Sequence, residues 1–145
     1  MPSKITMYKI QNTIAAGETT GNTFSKPIRG KILAVKILFT NSTPASSSDR
    51  DVNIFEMNPA DGDDVSDALQ EIVNVGGIGA DPSADNLVLY PRRAAEDNTG
   101  TDLVFLSTDT AVVPTEYIIM DRLMLAVTAA AAGDITTAYI MVEEY

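Results

Sequence analysis

The chain has 145 residues, enough for one domain with a single core and no covalent staples. Twenty acidic against ten basic side chains give a formal charge of −10, a balance that repels phosphate backbones and anionic headgroups and so argues against nucleic acid and membrane as partners; none is expected. Cysteine, histidine and tryptophan are all absent, which removes disulfides, thiolate chemistry, Ser-His-Asp and Cys-His catalysis, and histidine-based zinc sites.

The charge is segregated. Residues 1–40 carry Lys4, Lys9, Lys26, Arg29, Lys31 and Lys36 against the single acid Glu18. From Asp49 to Asp121 the bases are Arg50, Arg92 and Arg93 alone. The simplest reading pairs a basic first third with an acidic remainder inside one fold. The N-terminal MPSKITMYKIQ lacks the unbroken apolar run of a signal peptide, so the chain reads as made in a cytoplasm.

Taken in order, most segments read as strands. In KITMYKIQNTI, Ile5, Met7 and Lys9 alternate with Tyr8 and Ile10, the period of a half-buried strand. TFSKPIR is a short segment in which Pro27 argues for an edge or a bulge. GKILAVKILFT is the strongest strand and is expected at the centre of a sheet. It sets Leu33, Val35, Ile37 and Phe39 on one apolar face, and Ile32, Ala34, Lys36 and Leu38 on a mixed one. After the polar loop NSTPASSSDRD, DVNIFEMN forms another strand, with Val52, Ile54 and Glu56 opposite Phe55 and Met57.

Between Asp61 and Gly76 the period changes. Val65, Ala68, Leu69, Ile72 and Val73 recur at helical spacing, Asp64 or Ser66 suits the N-cap and Gly76 the stop, so the pattern predicts one short helix, with EIVNV as a strand the alternative. NLVLYPRR is a strand ended by Pro91, AAEDNTG a turn, and TDLVFLS a further strand. EYIIMD and RLMLAVTAA form one bent strand or two, AAGD a turn with Gly133 at positive φ, and ITTAYIMVEEY the last strand. Antiparallel packing fits this order better than a doubly wound sheet. The expected fold is an all-β, antiparallel β-sandwich or jelly-roll-like domain of about eight strands with one short helix. Residues 1–145 form one domain, with 1–14 as an extended N-terminal strand or arm that contacts a partner.

Carboxylates, Lys, Tyr and Ser remain as chemical groups. A glycosidase pair needs aromatic sugar platforms, and aromatics are only 6% of the chain, so no catalytic residue is assigned and the protein reads as no enzyme. NPADGDDVSD offers Asp61, Asp63, Asp64 and Asp67, but departs from the EF-hand order and reads as a solvated turn; no metal ligand or cofactor is assigned. VGGIGAD lacks the lysine of a phosphate loop. Arg92 and Arg93 adjoin in a strand and so face opposite ways, one suited to pair with Glu96 or Asp97, the other to reach a partner. Strands apolar on both faces, GKILAVKILFT and RLMLAVTAA, imply a homo-oligomer.

LVLYPRRAAEDNTGTDLVFL followed by EYIIMDRLMLAVTAAAAGDITTAYIMVEEY, in a short all-β chain rich in Thr, Ala, Asp and Asn, resembles the small β-sandwich decoration (cement) proteins on the heads of tailed bacteriophages. The resemblance covers the chain from about Ile32 onward and is one of overall style. It implies a non-enzymatic viral structural protein on the capsid surface of a virion, often a trimer, that binds the major capsid protein or another virion protein and stiffens the shell. The alternative is a phage tail, baseplate or fibre component with a carbohydrate- or protein-binding sandwich. The candidate partner-binding residues are Lys4, Lys9, Arg92 and Arg93.

Overall fold

β-Branched and aromatic residues at alternate positions favour extended backbone with one face buried, and strands dominate the computed structural model of the protein. It describes residues 3–40, 50–58, 65–78, 86–96, 99–102 and 113–145. Eleven strands lie among these: β1 (Lys4–Thr13), β2 (Gly21–Phe24), β3 (Gly30–Thr40), β4 (Arg50–Met57), β5 (Ala68–Ile78), β6 (Leu87–Leu89), β7 (Arg92–Ala94), β8 (Pro114–Glu116), β9 (Ile118–Ile119), β10 (Leu123–Thr128) and β11 (Ile135–Glu144).

One sheet runs β1-β11-β3-β6, with β9 also on β3; the other runs β2-β10-β4-β5; β7 and β8 form a separate ribbon. All these pairings are antiparallel. The inner faces meet in one core, with Val35, Ile37, Ile140 and Val142 from the first sheet against Ile54, Leu123 and Leu125 from the second. Each such side chain, fully buried, contributes about 1.5–3 kcal/mol. β10 is buried on both faces, because Met124 and Ala126 join Phe55 and Met57 in a second apolar cluster on the other side of its sheet. The apolar second face of RLMLAVTAA is therefore covered within the chain.

The expected helix is not there. Residues from Ala68 onward are strand β5, preceded by a 3-10 turn over Val65–Asp67, while 61–64 lie outside the described residues. Val65 and Leu69, two of the five apolar residues that set the helical spacing, are exposed, whereas the adjacent Ile72 and Val73 are both buried. Irregularities in the β4–β5 register place Ile54 opposite Val73 and Phe55 opposite Glu71, so Ile72 is an extra residue. Adjacent burial at such a bulge imitates a helical stripe. Long-range pairing to β4 then decides in favour of the strand.

A second irregularity corrects the expected face of β3. Val142 pairs with Ile32 and Met141 with Ala34, which leaves Leu33 as the extra residue. Ile32, not Leu33, joins Val35, Ile37 and Phe39 in the core. GKILAVKILFT is central as expected, flanked by β11 and by β6 with β9. EYIIMD and RLMLAVTAA resolve into separate pieces, β8, β9 and β10, and Gly133 takes a φ of 85°. Most of the strand expected at TDLVFLS falls outside the described residues; Asp102, at its start, bridges to Glu96.

The only fully buried guanidinium among the described residues is that of Arg50, the first residue of β4. Its Nε lies 3.5 Å from Oδ2 of Asp134, whose side chain is equally buried. Nη1 donates to the Ile135 carbonyl at 2.9 Å and to Oγ1 of Thr136 at 3.1 Å, and Nη2 to the Thr40 carbonyl at 3.2 Å. The guanidinium also lies over the Phe39 ring, 5.4 Å from its centroid. Burial pulls the Arg50 pKa below its ordinary value, and the Asp134 carboxylate opposes that pull. Asp134→Ala would leave the cation in the core without its counter-charge. We expect a loss of about 3–5 kcal/mol in urea unfolding; an unchanged midpoint would mean the pair is dispensable.

Candidate functional site

The outer face of the five-stranded sheet is built by alternation. In β1, Ile10 and Asn12 turn inward, and Ile5, Met7 and Lys9 turn outward. Tyr139 of β11 pairs with Lys9 on one side and Lys36 on the other, and Lys36 pairs with Val88 of β6. Lys9, Tyr139, Lys36 and Val88 therefore form one row across four strands. A neighbouring row runs Met7, Met141, Ala34. Between them lies a shallow hollow of ≈ 360 Å³, lined by Met7, Lys36, Val88, Tyr90, Tyr139 and Met141.

The face is unusual for a soluble surface. Ile5, Met7, Val88 and Tyr90 are 62%, 52%, 57% and 67% exposed. Scattered apolar residues are ordinary on a surface; here several lie together around cations, which makes the face a candidate for contact. Neither Lys9 nor Lys36 has a carboxylate partner among the described residues.

One end of this sheet is fastened by the C-terminal carboxylates. Glu144 accepts a hydrogen bond from the Tyr8 hydroxyl, and Lys4 Nζ lies 3.6 Å from Oε2 of the same carboxylate. Lys31 Nζ stands 3.0 Å from Glu143. The Tyr8 hydroxyl, with Lys4 beside it, holds Glu144 below the usual carboxylate range; Ser3 and Lys31 do the same for Glu143. The same contacts raise the pKa of Tyr8 and of Lys31. β11 is thereby tied to both of its neighbours.

A second surface lies where β5 meets the β7–β8 ribbon, as two adjoining grooves of ≈ 380 and ≈ 470 Å³. Glu56 forms part of its floor. Its Oε2 accepts from the backbone N–H of Met120 at 2.5 Å and of Asp121 at 3.1 Å, and its Oε1 from Nε2 of Gln70 at 3.0 Å. Gln70 also donates to the Ile118 carbonyl at 2.9 Å. These bonds fix the carboxylate as a strut between β4, β5 and the turn before β10. Glu71, Glu96 and Arg93 share its groove, and Glu116 lines the adjoining one. Among the described residues no three His, Cys, Asp or Glu side chains gather closely enough to hold a metal ion. Asp61, Asp63 and Asp64 of the acidic stretch, and residues 79–81 at the end of VGGIGAD, lie outside the described residues, while the first four residues of VGGIGAD close β5.

The four candidate partner residues do not converge. Lys4 and Lys9 lie on β1 at one edge of the five-stranded sheet and, an odd number of residues apart, point to opposite faces. Arg92 and Arg93 lie beyond the other edge, on β7, where Pro91 has broken the run from β6. Arg93 pairs with Glu96 at 2.7 Å, both about a third exposed, a contact worth about 0–1 kcal/mol. Arg92 donates to the Pro91 carbonyl at 2.7 Å and has no carboxylate partner among the described residues. Sequence reading missed Lys36, Val88, Tyr90, Glu71 and the cross-strand rows. One signal was present: Lys36 is the single charge in the middle of an otherwise apolar strand.

No protein-family model matches the chain, and no curated protein or solved structure matches it either.

Because Glu143 and Glu144 are depressed in the folded chain, their stabilisation is complete above the ordinary value of 4.5 and is lost as pH falls through the lower folded values. Amide exchange followed by NMR from pH 6 down to 3 should show residues 3–8 and 141–145 losing protection before the centre of β3. Uniform loss along β11 would contradict this.

Proposed function

We propose that this chain is a non-enzymatic structural protein of a tailed-phage virion, a decoration protein that binds the assembled shell and stabilises it. The observation that carries the reading is β1, a ten-residue strand at the end of its sheet, paired on one side only among the described residues and bearing Lys4 and Lys9. An open strand edge is a template for a strand from a partner, with backbone hydrogen bonds supplying affinity and flanking side chains supplying selectivity. The resemblance in style to phage head proteins supports the same reading. The partner is the major capsid protein or another virion protein, and the copies on a shell are oligomeric.

The alternative, a tail or fibre module that binds carbohydrate, draws on Tyr90 and Tyr139, which line one hollow. Glycan-array binding that survives Lys4→Glu/Lys9→Glu would favour it.

Removing residues 1–12 is not a clean test, because Ile10 and Asn12 are buried. Charge reversal on the edge is cleaner. Purified protein mixed with undecorated shells should co-sediment with them, and Lys4→Glu/Lys9→Glu should weaken that binding about tenfold, or about 1.4 kcal/mol. Failure of the wild-type chain to pellet with shells would overturn the proposal.

A further inference from the structure

The chain carries two surfaces that complement each other. The outer face of the five-stranded sheet is apolar and carries Lys9 and Lys36, which have no carboxylate partner among the described residues. The grooves between β5 and the β7–β8 ribbon are lined by four carboxylates, Glu56, Glu71, Glu96 and Glu116, against the one guanidinium of Arg93. Leu69 and Ile118 border them and are 59% and 54% exposed. We propose that the outer face of the five-stranded sheet docks head to tail onto the β5/β7–β8 grooves of a second copy of this chain.

Three observations favour that occupant. First, the two surfaces share no lining residue, so one copy can use both at once. Second, the charges match across the joint but not within it. Sheet face against sheet face would set Lys9 and Lys36 against their own kind, while sheet face against groove sets them against Glu71 and Glu116. Glu71 accepts only from the neutral amides of Asn53 and Asn74, so its charge is not neutralised by a base among the described residues. Third, both surfaces expose large apolar side chains whose mutual burial would favour association. The overall charge of −10 opposes association at long range, but that repulsion is screened beyond about 8 Å at physiological salt, whereas the facing charges act at contact. A joint between different patches closes into a ring or propagates as a filament.

This inference goes beyond the virion reading and stands or falls without a shell in the experiment. Sedimentation velocity of the full chain in about 0.15 M salt should show association that grows with protein concentration. Lys36→Glu spoils the face and leaves the groove; Glu71→Lys spoils the groove and leaves the face. Each variant alone should lose the associated boundary. An equimolar mixture should recover a two-copy complex and nothing larger, because one intact face meets one intact groove. Circular dichroism melts matching wild type confirm that both exposed substitutions leave the fold intact; if Lys36→Glu does not fold, Tyr90→Glu probes the same face. A wild-type chain that stays monomeric, a Glu71→Lys variant that associates like wild type, or a mixture of monomers would each overturn the proposal.

Discussion

The buried pair of Arg50 and Asp134 is the constraint on which the sandwich depends. Of the passages of the chain between the two sheets at this end, two meet at this pair, from β3 to β4 and from β10 to β11. Arg50 opens β4, Thr40 closes β3, and Asp134 lies in the turn that leads into β11. A single guanidinium bonds the carbonyls of Thr40 and Ile135 and faces the Asp134 carboxylate. Both crossings are therefore referred to one rigid, planar donor. Ala131 N–H donates to the same Asp134 carboxylate at 2.9 Å, which closes the turn where Gly133 supplies the positive φ. Burying two charges costs several kcal/mol per ion, so the pair adds little net stability over an apolar replacement. What it adds is geometry, because no apolar pair could satisfy those carbonyls as well.

This also explains what could be read from the sequence and what could not. Period-two alternation is a local property, so β1, β3, β4 and β11 were legible with nearly their observed bounds. Inside and outside were legible only where the alternation runs unbroken. The extra residue at Leu33 shifts the phase of β3, and Ile72, as an extra residue in β5, gives a strand the spacing of a helix. Bulges are set by the partner strand, which a local pattern does not contain. Arg50 was visible as one of three bases in an acidic stretch, yet nothing nearby told it apart from Arg92 and Arg93. Its partner is in a distant turn, and its burial follows from that long-range contact. The candidate surface was half legible. Lys9 followed from the alternation of β1, but its alignment with Tyr139 and Lys36 needed the register of three strands.

The two sheets differ in how they finish their outer faces, and that asymmetry directs the functional reading. The four-stranded sheet covers its own, with Phe55, Met57, Met124 and Ala126 packed together and Arg122 over the Phe24 ring at 4.5 Å. Its second apolar face is no argument for a partner. The five-stranded sheet does the opposite, leaving Ile5, Met7, Val88 and Tyr90 to solvent around two lysines. A fold that can cover one outer face by its own packing is under no general obligation to expose the other. On the proposals above, that exposure serves contact, and the cations on the face favour acidic neighbours. Acidic surface is what this chain has in excess, so the proposed docking of one copy on another gives the basic face an electrostatic match, while the open edge of β1 stays free for the proposed virion partner.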